Sequence, residues 1–229
     1  MKLGLVGSEM CIRDSNYPAQ TAILSAVYEG VQVPIDAALR IEARYFTKVV
    51  MDPRSQNMVR SLFVNMQALS KGARRPKDFD KYDVKKIGIL GAGLMGAGIA
   101  YVTAKAGIEV VLIDMDQAAA EKGKEYSTKI LDKQLSKKKT TEEKKEKLLS
   151  LITPTTDYSL LKGADLIVEA VFENRDIKAD VTAKAEAQIS ETAVFGSNTS
   201  TLPITGLAQN SSRPANFIGI HYFSPVERM

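Results

Sequence analysis

The stretch 86–107, KIGILGAGLMGAGIAYVTAKAG, limits what this chain can fold into more than any other part of it. From Lys86 the pattern changes: IGILGAG is a short apolar run with β-branched residues, read as a buried strand ending in glycines. A helical segment follows and is stopped by Gly107; IEVVLID over 108–114 is a second strand, closing on Asp114. The alternation continues with a helical pair over about 117–138 and 141–152, then strand ADLIVEAV and helix NRDIKADVTAKAEAQIS. Strand AVFGSN, a short helix near LPITGLAQ and strand NFIGIHYF complete it. Such alternation builds a parallel sheet with helices on its faces, so residues 86–229 are expected to form a doubly wound α/β domain.

The preceding chain has a different period. PAQTAILSAVYEG ends in a helix-stopping glycine. VPIDAALRIEARYFTKVVMD carries Ile35, Leu39, Ala43, Phe46 and Val50 at helical spacing. PRSQNMVRSLFVNMQALSKGARR has Pro53 in its first turn, Met58, Leu62, Phe63, Met66 and Leu69 on one face, and Gly72 as its stop. Residues 16–75 are therefore expected to be all-helical, with the charged, Pro-containing segment 76–85 as the linker.

Composition removes several function classes. Of 229 residues 45% are hydrophobic, enough for a real core. The single cysteine excludes a disulfide framework and a cysteine-based metal site, and points to a reducing, cytoplasmic setting; no metal is expected. No apolar run reaches the roughly 18 residues that a membrane span needs. The net charge of +4 nearly balances 31 basic against 27 acidic residues, and there is no tryptophan, which argues against nucleic acid as a partner. The Lys-rich stretch 122–147 interleaves acidic residues and reads as a solvated helical hairpin.

Four segments can carry chemistry. The first is GAGLMG over 91–96, a G-x-G-x-x-G with a strand before it, a helix after it and an acidic residue closing the next strand. Gly91 permits the tight turn, Gly93 lets backbone approach a pyrophosphate, and Gly96 lets the helix pack close to the sheet. Asp114 suits the ribose hydroxyls and repels a 2′-phosphate, which favours NAD over NADP in a Rossmann-type domain. The second is VEAVFEN over 168–174, where Glu173 and the following Lys178 line a cofactor cleft at the carboxyl end of a strand, or Glu173 favours the next helix N-terminus. The third is SNTSTLP over 197–203, where one hydroxyl is expected to cap the next helix and Ser200 to bond a substrate oxygen or a nicotinamide. The fourth holds His221, the only histidine. A lone histidine is often a core residue, but at a strand's carboxyl end it is placed to take a proton from a carbinol during hydride transfer.

In GAGLMGAGIA, IEVVLIDMD, ADLIVEAVFEN, FGSNTSTLPIT and FIGIHYFSPVERM the chain resembles the NAD-binding domain of 3-hydroxyacyl-CoA dehydrogenases. AILSAVYEGVQVPIDAALRIEARYF and NMVRSLFVNMQALSKGARRP resemble the end of an enoyl-CoA hydratase half and its linker helix. Together they are similar to α subunits of bacterial fatty acid oxidation complexes, multifunctional β-oxidation enzymes. The resemblance implies NAD contacts from Met95, Asp114, Val171, Phe172, Glu173, Lys178 and Ser200. Ser224 stands where the family usually has Asn. It implies His221 as the base in oxidation of a 3-hydroxyacyl-CoA to a 3-oxoacyl-CoA, and a thiolase β subunit as partner of the parent protein. The family's histidine is oriented by a glutamate about twelve residues later, beyond Met229, so the fragment is expected to bind NAD yet be catalytically incomplete; Glu227 is not assumed to substitute.

Residues 1–15 match no family text. EMCIRDS is what a sequencing-library transposon end encodes when read in frame, so they are expected to be a non-native, disordered leader. Two other readings remain at this point: another Rossmann dehydrogenase acting on a small 3-hydroxy acid, and a non-catalytic dinucleotide-binding module.

Overall fold

The computed structural model describes residues 17–80 and 82–228, so the expected leader lies outside the described residues. The chain divides into two compact units between Asp80 and Lys81. Among the described residues no helix is long and apolar enough to cross a membrane.

The first unit is helical. Helix α1 (Pro18–Gly30) and α2 (Ile35–Met51) pack on each other, with Gly30 allowing close approach to Ala38. Glu29 accepts from the Arg44 guanidinium at 2.7 Å and from the Tyr45 hydroxyl. Asp52 caps α3 (Pro53–Val59) by accepting from Arg54 N at 2.8 Å, with Pro53 in the first turn where a missing N–H costs nothing. The single helix read from sequence over 53–71 is in fact interrupted. A π-helical turn, Arg60–Asn65, separates α3 from α4 (Met66–Ser70). Its wider winding breaks the 3.6-residue period between Met58 and Met66.

The second unit is a six-stranded parallel sheet in the order β3-β2-β1-β4-β5-β6. The strands are β1 (Lys86–Leu90), β2 (Glu109–Ile113), β3 (Ile152–Thr155), β4 (Leu166–Glu169), β5 (Val194–Ser197) and β6 (Phe217–Gly219). The helices are α5 (Leu94–Lys105), α6 (Gln117–Ser136), α7 (Glu142–Ser150), α8 (Arg175–Glu186) and α9 (Ile204–Ala208). Successive strand residues point to opposite faces. Ile87, Ile89, Val110, Leu112 and Val168 join Ile99 and Ala100 in one core, while Leu90, Val111, Ile113 and Ile167 join Val181, Ala185 and Phe195 in the other. Burial on both faces explains why these strands read as continuous apolar runs.

One strand was not foreseen. Residues 151–152 read as the end of a helix, yet α7 stops at Ser150 and Ile152–Thr155 pairs with Val110–Ile113. Pro154 sits in this strand opposite Leu112. Proline has no N–H to give the ladder, and β3 lies at the sheet edge, where that omission is tolerated. The Lys-rich hairpin is α6 and α7, with Lys145 bridging Asp132 and Glu142, each at 2.8 Å.

Phe195, 1% exposed, stacks on Phe217 with ring centroids 5.1 Å apart, joining β5 to β6. Phe195→Ala is expected to lower unfolding free energy by about 3–5 kcal/mol, read from a urea melt at constant m-value.

Candidate functional site

Every strand of the second unit runs the same way, so the segments following β1, β2, β4, β5 and β6 converge on one edge of the sheet. Gly91 follows β1 at φ +94 and donates its N–H to Ile113 O at 2.8 Å. A Cβ there would meet the Ala170 carbonyl oxygen at 2.6 Å, so the turn is held against the segment leaving β4. A Cβ on Gly96 would lie 1.7 Å from Gly91 O, which is the close helix–strand approach its position implied. Gly93 faces open space, and no side chain caps the N-terminus of α5. Open space in front of unpaired first-turn N–H groups fits a pyrophosphate.

Asp114, at the end of β2, accepts from Ala92 N at 2.6 Å and from Met115 N at 2.7 Å. It therefore ties down the Gly-rich turn, a task not read from the sequence. Each carboxylate oxygen keeps further acceptor capacity for ribose hydroxyls. Met95 packs partly buried against the first core. Around the same edge Leu94, Met115, Phe172 and Phe223 are exposed, Met115 by 90% and Phe172 by 78%. Val171 is partly buried and donates its N–H to Glu169 at 2.8 Å.

The polar residues of VEAVFEN and SNTS interlock. Glu173 accepts from Thr199 Oγ1 at 2.5 Å, Ser200 N at 2.9 Å and Thr201 N at 3.1 Å. It does not cap α8; Asn174 does, accepting from Asp176 N and Ile177 N. Nor does a hydroxyl of SNTS cap α9, whose N-cap is Pro203 without a side-chain bond. Lys178, expected to line the cleft, is only 3% exposed and pairs with Glu169 at 2.7 Å and Glu173 at 3.2 Å. It reaches the cleft through Glu173.

His221 is exposed just after β6, and its Nδ1 lies 3.2 Å from the Thr199 carbonyl oxygen. A carbonyl only accepts, so Nδ1 carries the proton and Nε2 is left as the free base of the neutral ring. Phe223 stands edge-on to the imidazole with centroids 4.9 Å apart. Asn198 Oδ1 accepts from Tyr222 N at 2.8 Å and ties the His221 segment to the loop after β5. Asn198 was missed as a positioning residue, since nothing in the one-dimensional pattern pairs it with position 222. Ser200 and Ser224 are exposed on the same edge. Glu227 accepts from Tyr126 of α6 at 2.9 Å, so one oxygen of its carboxylate is engaged with that helix.

Burial pushes the Glu173 carboxyl up, but hydrogen bonds from Thr199, Thr201, Ser200 and Lys178 outweigh it and hold the group at about 2, against an ordinary 4.5. A depressed carboxyl contributes stability that is complete above the ordinary value and lost as pH falls through the folded one. The Ser200 and Thr201 amide resonances are thus expected to stay constant from neutral pH to about 4 and to move only as pH approaches 2, followed by two-dimensional ¹H–¹⁵N spectra. In Glu173→Gln the same amides are expected to be displaced already at neutral pH.

Comparison with known proteins accords with this geometry. The family model for the 3-hydroxyacyl-CoA dehydrogenase NAD-binding domain matches residues 86–229. The fatty acid oxidation complex subunit alpha of Pseudomonas syringae is 40% identical over 216 residues, covering 93% of this chain and 29% of that protein. The chain thus spans less than a third of that relative's length. The crystal structure of (S)-3-hydroxybutyryl-CoA dehydrogenase PaaH1 from Ralstonia eutropha is 40% identical with TM-score 0.61, covering 63% of this chain and 51% of that one. M. tuberculosis FadB2 is 36% identical at the same TM-score, 0.61, and the same coverage, 63% and 51%. The chain belongs to the 3-hydroxyacyl-CoA dehydrogenase family, through an NAD-binding domain over residues 86–229.

Proposed function

We propose that this chain supplies the NAD site and the general base for oxidation of 3-hydroxyacyl-CoA to 3-oxoacyl-CoA in fatty acid β-oxidation. The observation that carries the reading is the His221 ring, its Nδ1 bonded to the Thr199 carbonyl and its Nε2 free, on the sheet edge that also holds the Gly-rich turn. Bound NAD⁺ supplies the hydride acceptor. The first turn of α5, with Gly91, Gly93 and Gly96, holds the pyrophosphate, and Met95 lies in that turn. Asp114 holds the ribose hydroxyls and disfavours a 2′-phosphate. Val171, Phe172 and Glu173 flank the cofactor, with Lys178 fixing Glu173 through their ion pair. His221 Nε2 takes the proton of the 3-hydroxyl while Thr199 O keeps the ring oriented and accepts from Nδ1 in both charge states. Ser200 and Ser224 present hydroxyls to the nicotinamide end or the substrate oxygen.

Residues 16–75 we assign to the end of an enoyl-CoA hydratase half and its linker helix, with 76–85 as the linker. Support comes from the α subunit similarity, which extends over 93% of the chain, more than the dehydrogenase domain alone. On this reading the parent protein acts on acyl-CoA thioesters, pairs with a thiolase β subunit, and works in the cytoplasm.

Calorimetric titration of the 229-residue chain is expected to show NADH binding, weakened about tenfold or more by Asp114→Ala, the scale of one lost charged hydrogen bond. In a longer dehydrogenase chain carrying this domain, His221→Asn is expected to lower the kcat of acetoacetyl-CoA reduction by about 10²–10⁴ with NADH affinity kept. Full turnover in His221→Asn would sink the assignment of the base.

A further inference from the structure

Glu169 is a buried carboxylate that the proposed chemistry does not use. It ends β4 with 1% exposure, opposite Leu90 of β1 and Ser197 of β5. A charge so placed is costly unless it is paired and fully hydrogen-bonded. Oε1 accepts from Val171 N at 2.8 Å and Lys178 Nζ at 2.7 Å, and Oε2 accepts from Ser197 Oγ at 2.7 Å. Its main-chain oxygen accepts from Asn198 N at 2.8 Å.

Two arms leave this point and meet at His221. One runs through Lys178 to Glu173, then to Thr199, Ser200 and Thr201, and ends where the Thr199 carbonyl receives Nδ1. The other runs through Ser197 and Asn198 to the N–H of Tyr222, the next residue after His221. A buried ion pair is by itself weak evidence for stability, and this one also gathers Val171 N and Ser197 Oγ, which points to orientation of the segments after β4 and β5 as its use.

We infer that Glu169 is a positioning residue that sets the tautomer and placement of His221 and the cofactor-facing loop 198–201. The inference takes His221 as the base proposed above. Glu169 touches no reacting atom; it acts through Lys178 and through the loop after β5. Removing its charge frees Lys178 to pull on Glu173 alone, lets the loop shift, and loosens the carbonyl that keeps the proton on Nδ1.

His221 is the only histidine in the sequence, so ring-nitrogen spectra of the ¹⁵N-labelled 229-residue chain carry one imidazole. They are read at pH 8, above the ordinary imidazole value of about 6.5. In the unmodified chain Nδ1 is expected to be protonated and Nε2 bare. In Glu169→Gln the two nitrogen shifts are expected to converge as tautomers mix, with the 199–201 amides displaced and the NADH Kd raised about tenfold, the scale of one lost charged hydrogen bond. Removing one member of a buried pair is destabilising in itself, so Glu169→Gln combined with Lys178→Met, which leaves no charge at 169 or 178 and leaves Glu173 to its donors Thr199, Ser200 and Thr201, is measured beside it. The double variant is expected to show the same convergence. A folded variant of either kind with unaltered His221 ring signals overturns the inference. So do shifts spread evenly over sheet amides such as Val111 and Ile113 with no larger change at His221. Failure of the unmodified chain to bind NADH counts against the proposed function and leaves the ring-nitrogen result standing.

Discussion

Strand β1 pairs in parallel with β2 on one side and β4 on the other, and the arrangement of the site depends on that pairing. Because both neighbours run in its direction, the turn after β1, Asp114 after β2 and the 170–173 segment after β4 leave the sheet at the same edge. The strand order reverses on either side of β1, and the crevice opens where the connections part. Gly91 and Gly96 make this pairing usable, since a side chain on either would push the turn off the β4 segment or the helix off the turn. A parallel sheet buried on both faces keeps these positions rigid, so mobile side chains are not needed to assemble the site.

The site is held less by hydrophobic contact than by carboxylates that gather N–H and O–H donors. Asp114 pins the Gly-rich turn, Glu173 pins the loop after β5, and Glu169 accepts from both Lys178 and Ser197. Each of these carboxylates sits at the end of a strand or in the segment just after it, where the backbone leaves the ladder and its N–H groups need new partners. Satisfying those groups with fixed carboxylates costs desolvation, and in return the loop geometry is specified to within a hydrogen-bond length. Catalysis by an oriented imidazole is sensitive to displacements of that size.

Much of the fold was legible because periodicity and punctuation agree. Five of the six strands, the helices around them and the glycine stop at Gly107 follow from apolar runs bounded by glycine or polar clusters. The missed strand, Ile152–Thr155, is four residues long and contains Pro154, so local propensity argues against it; its neighbour β2 supplies the pairing that overrides this. The π-helical turn at Arg60–Asn65 was equally invisible, because the composition of RSLFVN does not distinguish windings whose hydrogen bonds differ by one residue in span. In the candidate site, GAGLMG, Asp114 and His221 stand out by residue type in context, and the structure brings them to one sheet edge. The linkages Asn198–Tyr222, Thr199–His221 and Tyr126–Glu227 do not stand out in this way, since each joins residues more than twenty positions apart.

The amino-acid sequence by itself determined the parallel α/β architecture, the dinucleotide-binding turn and the identity of the one imidazole, because these follow from local steric and periodic rules. Tertiary structure alone decided that Lys178 is buried, that Glu173 gathers donors from the loop after β5, and that Nδ1 of His221 faces the Thr199 carbonyl. Those outcomes depend on which donors crossover connections bring within about 3 Å of a given acceptor, a distance that sequence spacing does not encode.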